Sequence, residues 1–390
     1  MIIIVDGSYF MHRLLHKNEV KSANDIKTFV DVMLSSTRKM IKQFQPSGIV
    51  FVKDSKPSWR HVFDYHKNLP SNIKGIVNER GYKGTRKYKS EYHWESVKLS
   101  YNKFLNIVQD KFSVDVIGIH QAEGDDIMAY ISTVLSSMNL FTMLYTADAD
   151  ANQGLNFNTV RYSPQTQKLY VSDTLKNDVE FIKGDFFDNN GTSTSYYLSY
   201  LMNKMWYGEN IIKSVEIVSA WEYMLSKIIR GDSGDNVHPI FFRVTKTETG
   251  KIINRKVPPK KISLFVEQLK ESRSNINNDI LYDDTVIEMV SNLICEIEGE
   301  KTHFNEYVKG FKNNRKMVLI NNKELPQNLF MSLTEIDLRY PQERFRYSKD
   351  KLECYWDYID EEFTPIEDTC DIEIKEDDDA FDLLDDFMNS

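Results

Sequence analysis

The sequence predicts an α/β protein with a mostly parallel sheet flanked by helices, followed by a helical region and an acidic tail. Three observations predict it. Short β-rich apolar runs alternate with amphipathic helical stretches through the first half of the chain, a rhythm that implies crossover connections. Four of those runs lead into carboxylates, as strands of an open α/β sheet do when a site lies beyond their carboxyl ends. Helical periodicity then dominates from about residue 217, and composition turns strongly acidic near residue 363.

The elements follow in order. Met1–Val5 is a continuous apolar run ending at Asp6, the pattern of a strand buried on both faces. Residues 24–45 place Ile26, Phe29, Val30, Met33, Leu34, Ile41 and Phe44 at helical spacing. Gly48–Val52 reads as a second strand leading to Asp54; Val114–Ile119 and Phe141–Tyr145 lead to Glu123 and Asp148. Arg161–Ser163 and Lys168–Ser172 around Pro164 suggest a hairpin, and residues 176–216 read as an insertion of unassigned role. Val215–Arg230 is helical in pattern. Pro258-Pro259 marks a helix start, and helices recur to about residue 310. The expected division is a domain at 1–216, a helical region at 217–362, and a disordered tail at 363–390.

Composition bounds the function. At 390 residues with 41% hydrophobic and 12% aromatic content, the chain supports a folded core. No apolar window is long enough to span a membrane, and the Met1-Ile-Ile-Ile start lacks a basic leader. Cys295, Cys354 and Cys370 are too scattered for a thiolate zinc site and fit a reducing cytoplasm. The net charge of −9 hides an uneven distribution: residues 366–390 carry −10, leaving +1 for the rest. Residues 53–98 hold eleven Lys/Arg against five Asp/Glu, and residues 241–261 hold seven against one. Such local surpluses suit phosphate backbones.

Nine carboxylates form the candidate site: Asp6, Asp54, Glu123, Asp125, Asp126, Asp148, Asp150, Asp232 and Asp235. Glu123, Asp125 and Asp126 stand at the mouth of an amphipathic helix, and Asp148 and Asp150 lie just beyond a strand. Clustering so many like charges is costly unless cations neutralise them. Oxygen-only donors favour magnesium over softer metals, and two such ions suit phosphodiester hydrolysis.

Val5-Asp6-Gly-Ser, Glu123-Gly-Asp-Asp, Ala147-Asp-Ala-Asp and Gly231-Asp-Ser-Gly-Asp-Asn-Val occur in the order found in the flap-endonuclease/5′-exonuclease family, and Tyr82-Lys83-Gly-Thr-Arg86 resembles a basic element of its phage and bacterial members. The resemblance spans roughly residues 1–362 and is nearest to the phage branch that includes primer-removing ribonuclease H enzymes. It implies a PIN-like nuclease sheet, a helix-turn-helix-like duplex-binding unit, and two Mg²⁺ ions for which Mn²⁺ can substitute. It further implies a monomeric 5′-3′ exonuclease and flap endonuclease acting on branched or nicked DNA and RNA–DNA hybrids. By that resemblance Asp6, Asp54, Asp125 and Asp148 form the tighter metal cluster. Asp150, Asp232 and Asp235 serve a second ion directly or through water, and Glu123 and Asp126 complete an acidic rim. Lys83 and Arg86 contact the scissile phosphate.

Further expectations are less tied to the motifs. Arg60 is expected to clamp a phosphate or form a structural salt bridge, and Tyr82, Tyr88, Tyr92 and Trp94 to stack unpaired bases or fill a helix core. Arg243, Lys246, Lys251, Lys256, Lys260 and Lys261 are expected to grip the duplex backbone. The sequence after Asn236 departs from the family's glycine-rich turn, which puts a monovalent-ion site in doubt. In the tail, Phe381, Leu384 and Phe387 share one side of a potential helix, suited to docking on a sliding clamp or single-strand DNA-binding protein.

Overall fold

The computed structural model describes residues 1–16, 18, 20–55, 57–63, 82–83, 92–183, 193–206, 211–241, 243–246, 252–273, 276–299, 301–320 and 323–354. The chain divides into two units. Of the described residues, one unit comprises those in 1–58, 92–218 and 326–354, and the other those in 59–83 and 219–325. The division differs from the sequence expectation in two ways. Residues 59–63 and 82–83 join the second unit, and residues 326–354 return to the first.

The first unit is organised by a seven-stranded sheet: β1 (Ile2–Asp6), β2 (Gly48–Val52), β3 (Asp115–Ile117), β4 (Thr142–Tyr145), β5 (Thr159–Ser163), β6 (Lys168–Ser172) and β7 (Ser214–Val218), in the order β3-β2-β1-β4-β5-β6-β7. All neighbours run parallel except β5 and β6, which form the expected hairpin. The first strands are apolar throughout because both faces are covered: β1, β2 and β4 are buried at every residue. The Ile26–Phe44 helix lays Phe29, Val30, Met33, Leu34, Thr37, Met40, Ile41 and Phe44 into this core and stops where Gln45 turns left-handed at φ 45°. Phe10, Phe51 and Phe104 meet with ring centroids 5.3–5.8 Å apart, joining the Gly7–Leu15 and Trp94–Asp110 helices to β2.

Strand order places the acids. Chain progress runs outward from β1 through β2 to β3, then jumps back to β4 on the other side of β1. That reversal opens a crevice between β1 and β4 at their carboxyl ends. The register aligns Asp6 with Val52 and Val5 with Tyr145, so the segments that follow β1, β2 and β4 emerge at one edge.

Residues 326–354 pack back on this unit through named contacts. Ile49 N–H donates to the Phe345 carbonyl at 2.8 Å, Ser348 N–H to the Phe112 carbonyl at 2.8 Å, and Arg344 Nε to Asp115 at 2.5 Å. A Cβ on Gly48 would lie 2.9 Å from the Phe345 oxygen, so only glycine admits that approach. The region read as an insertion holds two helices, Lys176–Lys183 and Ser193–Trp206, and then β7. Residues 214–218 are therefore a strand rather than the start of the following helix. Their parallel pairing with β6 supplies hydrogen bonds that outweigh the local helical pattern.

In the second unit, the Ala220–Arg230 helix buries Trp221, Met224, Leu225, Ile228 and Ile229 against helices Pro259–Ser272, Asp284–Glu298 and Phe304–Val318. Pro259 occupies the first turn of its helix, as expected. Part of the basic stretch between them is a two-stranded hairpin, β8 (Arg243–Lys246) with β9 (Ile252–Arg255). Among the described residues no helix is long and apolar enough to cross a membrane.

Gly231, which ends the Ala220–Arg230 helix, has φ 70° and ψ 175°, and a Cβ there would lie 2.3 Å from the Val237 oxygen. That backbone region is open essentially to glycine alone. Gly231→Ala should cost at least about 2 kcal/mol from dihedral strain and overlap together. Urea unfolding of the two proteins measures it, and equal midpoints would show the turn to be unstrained.

Candidate metal centre

The acids of the first unit are positioned by short-range backbone chemistry. Asp6 caps the Gly7–Leu15 helix: its Oδ1 accepts from Tyr9 N–H at 2.9 Å, and its Oδ2 accepts from the Thr146 hydroxyl at 2.9 Å. Thr146 Oγ1 in turn accepts from Asp148 N–H at 3.1 Å, and Asp148 Oδ1 accepts from Asp150 N–H at 2.8 Å. Asp54 Oδ1 accepts from Gly124 N–H at 2.5 Å, tying the end of β2 to the mouth of the Gly124–Ser137 helix that carries Asp125. A Cβ on Gly124 would approach that same Oδ1 at 3.1 Å, which favours glycine there.

These groups share one electrostatic environment. Burial, then Asp54, push the Asp6 carboxyl up to about 7 against the opposing pull of the Tyr9 amide and Thr146 hydroxyl. Burial, followed by Asp148, Asp6, Asp150 and Asp54, holds the Asp125 carboxyl well above the usual carboxylate range. Five carboxylates predicted from the sequence are thus brought together: Asp6, Asp54, Asp125, Asp148 and Asp150. Repulsion among clustered carboxylates, with oxygen as their only donor atoms, fits a hard divalent cation.

Two other acids are placed differently. Glu123 is buried beside the cluster's helix at the N-cap position. Asp126 is 1% exposed and turns back to accept from Glu123 N–H at 3.1 Å. It belongs to a capping box at the helix start rather than to an open acidic rim, which corrects the sequence expectation.

In the second unit, Asp232 and Asp235 sit on a tight loop closed by reciprocal hydrogen bonds between Asp232 and Val237, at 2.8 and 2.7 Å. Asn236 takes a left-handed φ of 56° within it. Asp232 forms an ion pair with Lys227 and accepts from Gly234 N–H at 2.9 Å. Burial raises its pKa, but Lys227 and the loop amides outweigh that and hold it below the usual range. Asp235 accepts from the Tyr82 hydroxyl at 3.1 Å, and its carbonyl accepts from Lys83 N–H at 3.0 Å. Lys83 Nζ lies 5.1 Å from the Tyr82 ring centroid.

Several expected nucleic-acid contacts are corrected. Tyr82 is 6% exposed in the core of the second unit, so it is no stacking platform. Trp94 is likewise buried, with Tyr92 packed edge-on against it. Arg60 is 2% exposed: Nε donates to the Met317 carbonyl at 3.2 Å and Nη2 to the Leu319 carbonyl at 3.3 Å. It caps the end of the Phe304–Val318 helix, and its stem lets a charged side chain enter a core where carbonyls await donors. That helix-capping role was not among the expectations for it. Lys260 and Lys261 are exposed on the first turn of their helix, and Lys256 is half-buried. Arg243 and Lys246 lie on β8. Arg86, Tyr88, Lys251, Phe381, Leu384 and Phe387 fall outside the described residues.

Sequence reasoning missed Arg161, which is 2% exposed in β5 and bonded to the carbonyls that precede Asp150. The available signal was a charge in the middle of the run Thr159-Val-Arg-Tyr-Ser, every residue of which is buried. Tyr101 was missed too. Its buried hydroxyl has no hydrogen-bond partner among the described residues, and the Gly7 position admits no Cβ because that oxygen would lie 2.3 Å away.

Residues 1–180 match the family described as 5′-3′ exonuclease, N-terminal resolvase-like domain. The fold is accordingly a PIN-like, resolvase-type nuclease sheet. The first 180 residues are thus similar to the N-terminal domain of 5′-3′ exonucleases. No curated protein sequence matches it significantly. Among solved structures, it is similar to bacteriophage T5 D15 protein co-crystallised with metal ions, at 14% identity, 92% coverage of this chain, 98% of that one, and TM-score 0.47. A T5 5′-exonuclease with bound zinc gives 15%, 92%, 98% and 0.48. A T5 D15 flap endonuclease complex with DNA and metal ions gives 14%, 86%, 96% and 0.46.

A carboxyl whose folded pKa lies above its unfolded value near 4 contributes stability below that value and loses it as pH rises. For Asp6 the loss is complete as pH passes about 7. The metal-free protein should therefore lose stability from pH 5 to pH 8, and Mg²⁺ should raise Tm more at pH 8. Asp125→Asn should raise the Tm of EDTA-treated protein at pH 8, by about 2–4 °C per kcal/mol of repulsion removed, and blunt the response to Mg²⁺. Melting curves with and without Mg²⁺ check both; a lower metal-free Tm for the variant would contradict repulsion.

Proposed function

We propose that this protein is a divalent-metal-dependent 5′-3′ exonuclease and flap endonuclease that acts on DNA and RNA–DNA duplexes and removes RNA primers during lagging-strand replication. The observation that carries the reading is the convergence of five carboxylates at the β1/β4 switch point of a 5′-3′ exonuclease N-terminal domain. Asp6, Asp54, Asp125 and Asp148 would hold one Mg²⁺, with Asp150, Asp232 and Asp235 serving a second directly or through water. When bound, such ions lower the pKa of water and stabilise the leaving oxygen of a phosphodiester.

The chain's own residues supply orientation and charge. Amide and hydroxyl donors fix the Asp6, Asp54 and Asp148 carboxylates before substrate arrives, so little reorganisation accompanies reaction. Lys83, with Arg86, would meet the scissile phosphate and offset charge developing on its oxygens. Lys256, Lys260 and Lys261, with the basic strand residues Arg243 and Lys246 and the neighbouring Lys251, would follow the duplex backbone. The tail segment around Phe381, Leu384 and Phe387 would tether the enzyme to a sliding clamp or single-strand DNA-binding protein, raising local concentration without altering the site.

Cleavage of a 5′-labelled flap in Mg²⁺, in EDTA, and by Asp148→Asn tests the activity. Turnover should vanish in EDTA and fall by roughly two orders of magnitude or more in the variant, with DNA binding retained. Wild-type cleavage in excess EDTA would refute the metal dependence. Replacing Lys256, Lys260 and Lys261 with alanine should make the salt slope of duplex binding shallower by about 0.9 for each phosphate that is no longer neutralised. An unchanged slope would move the duplex grip elsewhere.

A further inference from the structure

We infer that Arg161 is a positioning residue for the metal centre: it sets the geometry of the loop that presents Asp148 and Asp150. This deepens the metal-nuclease reading above and rests on it. Arg161 lies in the middle of β5, paired across the hairpin with Tyr170, and is 2% exposed. Its Nε donates to the Asn152 side-chain carbonyl at 2.7 Å. One nitrogen, Nη1, donates to the Ala147 and Asp148 carbonyls at 3.1 Å each and reaches the Thr146 carbonyl at 3.5 Å. Tyr170 lies under the guanidinium, with Cζ 3.8 Å from the ring centroid.

These bonds constrain the loop. Three successive carbonyls turned toward one nitrogen leave the Thr146–Asp148 backbone little torsional choice. The same stretch sends the Thr146 hydroxyl to Asp6, while Thr146 Oγ1 and Asp148 Oδ1 receive the Asp148 and Asp150 amides. Arg161 is thus connected through one short loop to three of the five clustered acids. Asn152, on the 3₁₀ turn Ala149–Gly154, fixes the far end of that loop to the same guanidinium.

Chemistry favours arginine over alternatives for this task. Burying a cation costs several kcal/mol before compensation, so a purely structural β5 would be filled more cheaply by an apolar side chain. A planar guanidinium cannot be discharged near neutral pH, stacks on an aromatic face, and serves several acceptors in one plane. A lysine would keep the charge but lose the fork. Permanent positive charge beneath the acid loop also opposes the repulsion among the carboxylates it carries.

The test compares wild type, Arg161→Met, Arg161→Lys, Asn152→Ala and Asp148→Asn. Mn²⁺ affinity is measured by calorimetry, stability by urea unfolding in EDTA, and flap cleavage under single turnover. Arg161→Met, similar in length and able to pack on Tyr170, should weaken Mn²⁺ binding by about 10–100-fold, as loss of a group supporting metal ligands does. Its cleavage rate should fall with unchanged KM for the flap and recover partly at high metal concentration. Arg161→Lys should lie between. Wild-type Mn²⁺ affinity in folded Arg161→Met would overturn the inference, since a merely structural role lowers stability and leaves the folded protein's metal site intact. If Arg161→Met does not fold, Asn152→Ala decides: weaker Mn²⁺ binding supports the positioning role and unchanged binding overturns it. Mn²⁺ binding lost in Asp148→Asn but kept in the Arg161 variants refutes only the positioning role. Failure of wild type to bind Mn²⁺ refutes the metal-nuclease reading and this inference with it.

Discussion

Mutual repulsion among clustered carboxylates is the constraint on which the first unit depends. A sheet could end its strands in neutral turns at no electrostatic cost, yet here Asp6, Asp54, Asp125, Asp148 and Asp150 share one edge. Without a cation, folding must supply the energy of bringing them together. The fully buried β1, β2 and β4, together with the aromatic cluster of Phe10, Phe51 and Phe104, provide the counterweight. A fully buried large apolar side chain contributes about 1.5–3 kcal/mol, so a handful suffices to hold several protonated or partly charged acids in place.

Parts of this arrangement were legible in the sequence because they are local. Ile2–Val5 and Gly48–Val52 read directly as buried strands, since a strand covered on both faces must be apolar without alternation. The helix spacing of Phe29, Val30, Met33 and Leu34 and the proline at the start of the 259–272 helix were equally visible. The acids stood out by number and by their place after apolar runs. Only the topology, however, shows that the ends of β1 and β4 flank a switch point.

What escaped sequence reasoning depends on partners far along the chain. β7 is a partly exposed strand whose Ser-Val-Glu-Ile-Val carries no strong apolar face, and its pairing with β6 cannot be read from periodicity. The return of Phe345 to the backbone of Ile49 links residues nearly three hundred apart. Arg60 and Tyr82 were each left with two readings because basic and aromatic residues crowd that stretch. Both have apolar bodies and polar tips, and each buries the body while its tip finds a carbonyl or carboxylate. Composition could not distinguish these roles. Arg161 was hidden for the converse reason: a lone arginine in a hairpin reads as surface until all five residues of β5 prove buried.

The two sets of acids are held by opposite means, and the difference bears on what each can do. Asp6, Asp54 and Asp148 each commit Oδ1 to a backbone amide. Amides and hydroxyls orient a carboxylate without cancelling its charge, so the acid stays able to attract a cation. Asp232 instead faces the Lys227 ammonium, which satisfies it electrostatically and keeps its pKa low. A carboxylate paired with lysine attracts a cation less strongly than one held by neutral donors alone. Orientation by neutral donors thus leaves the first-unit acids their charge, whereas pairing with Lys227 offsets that of Asp232.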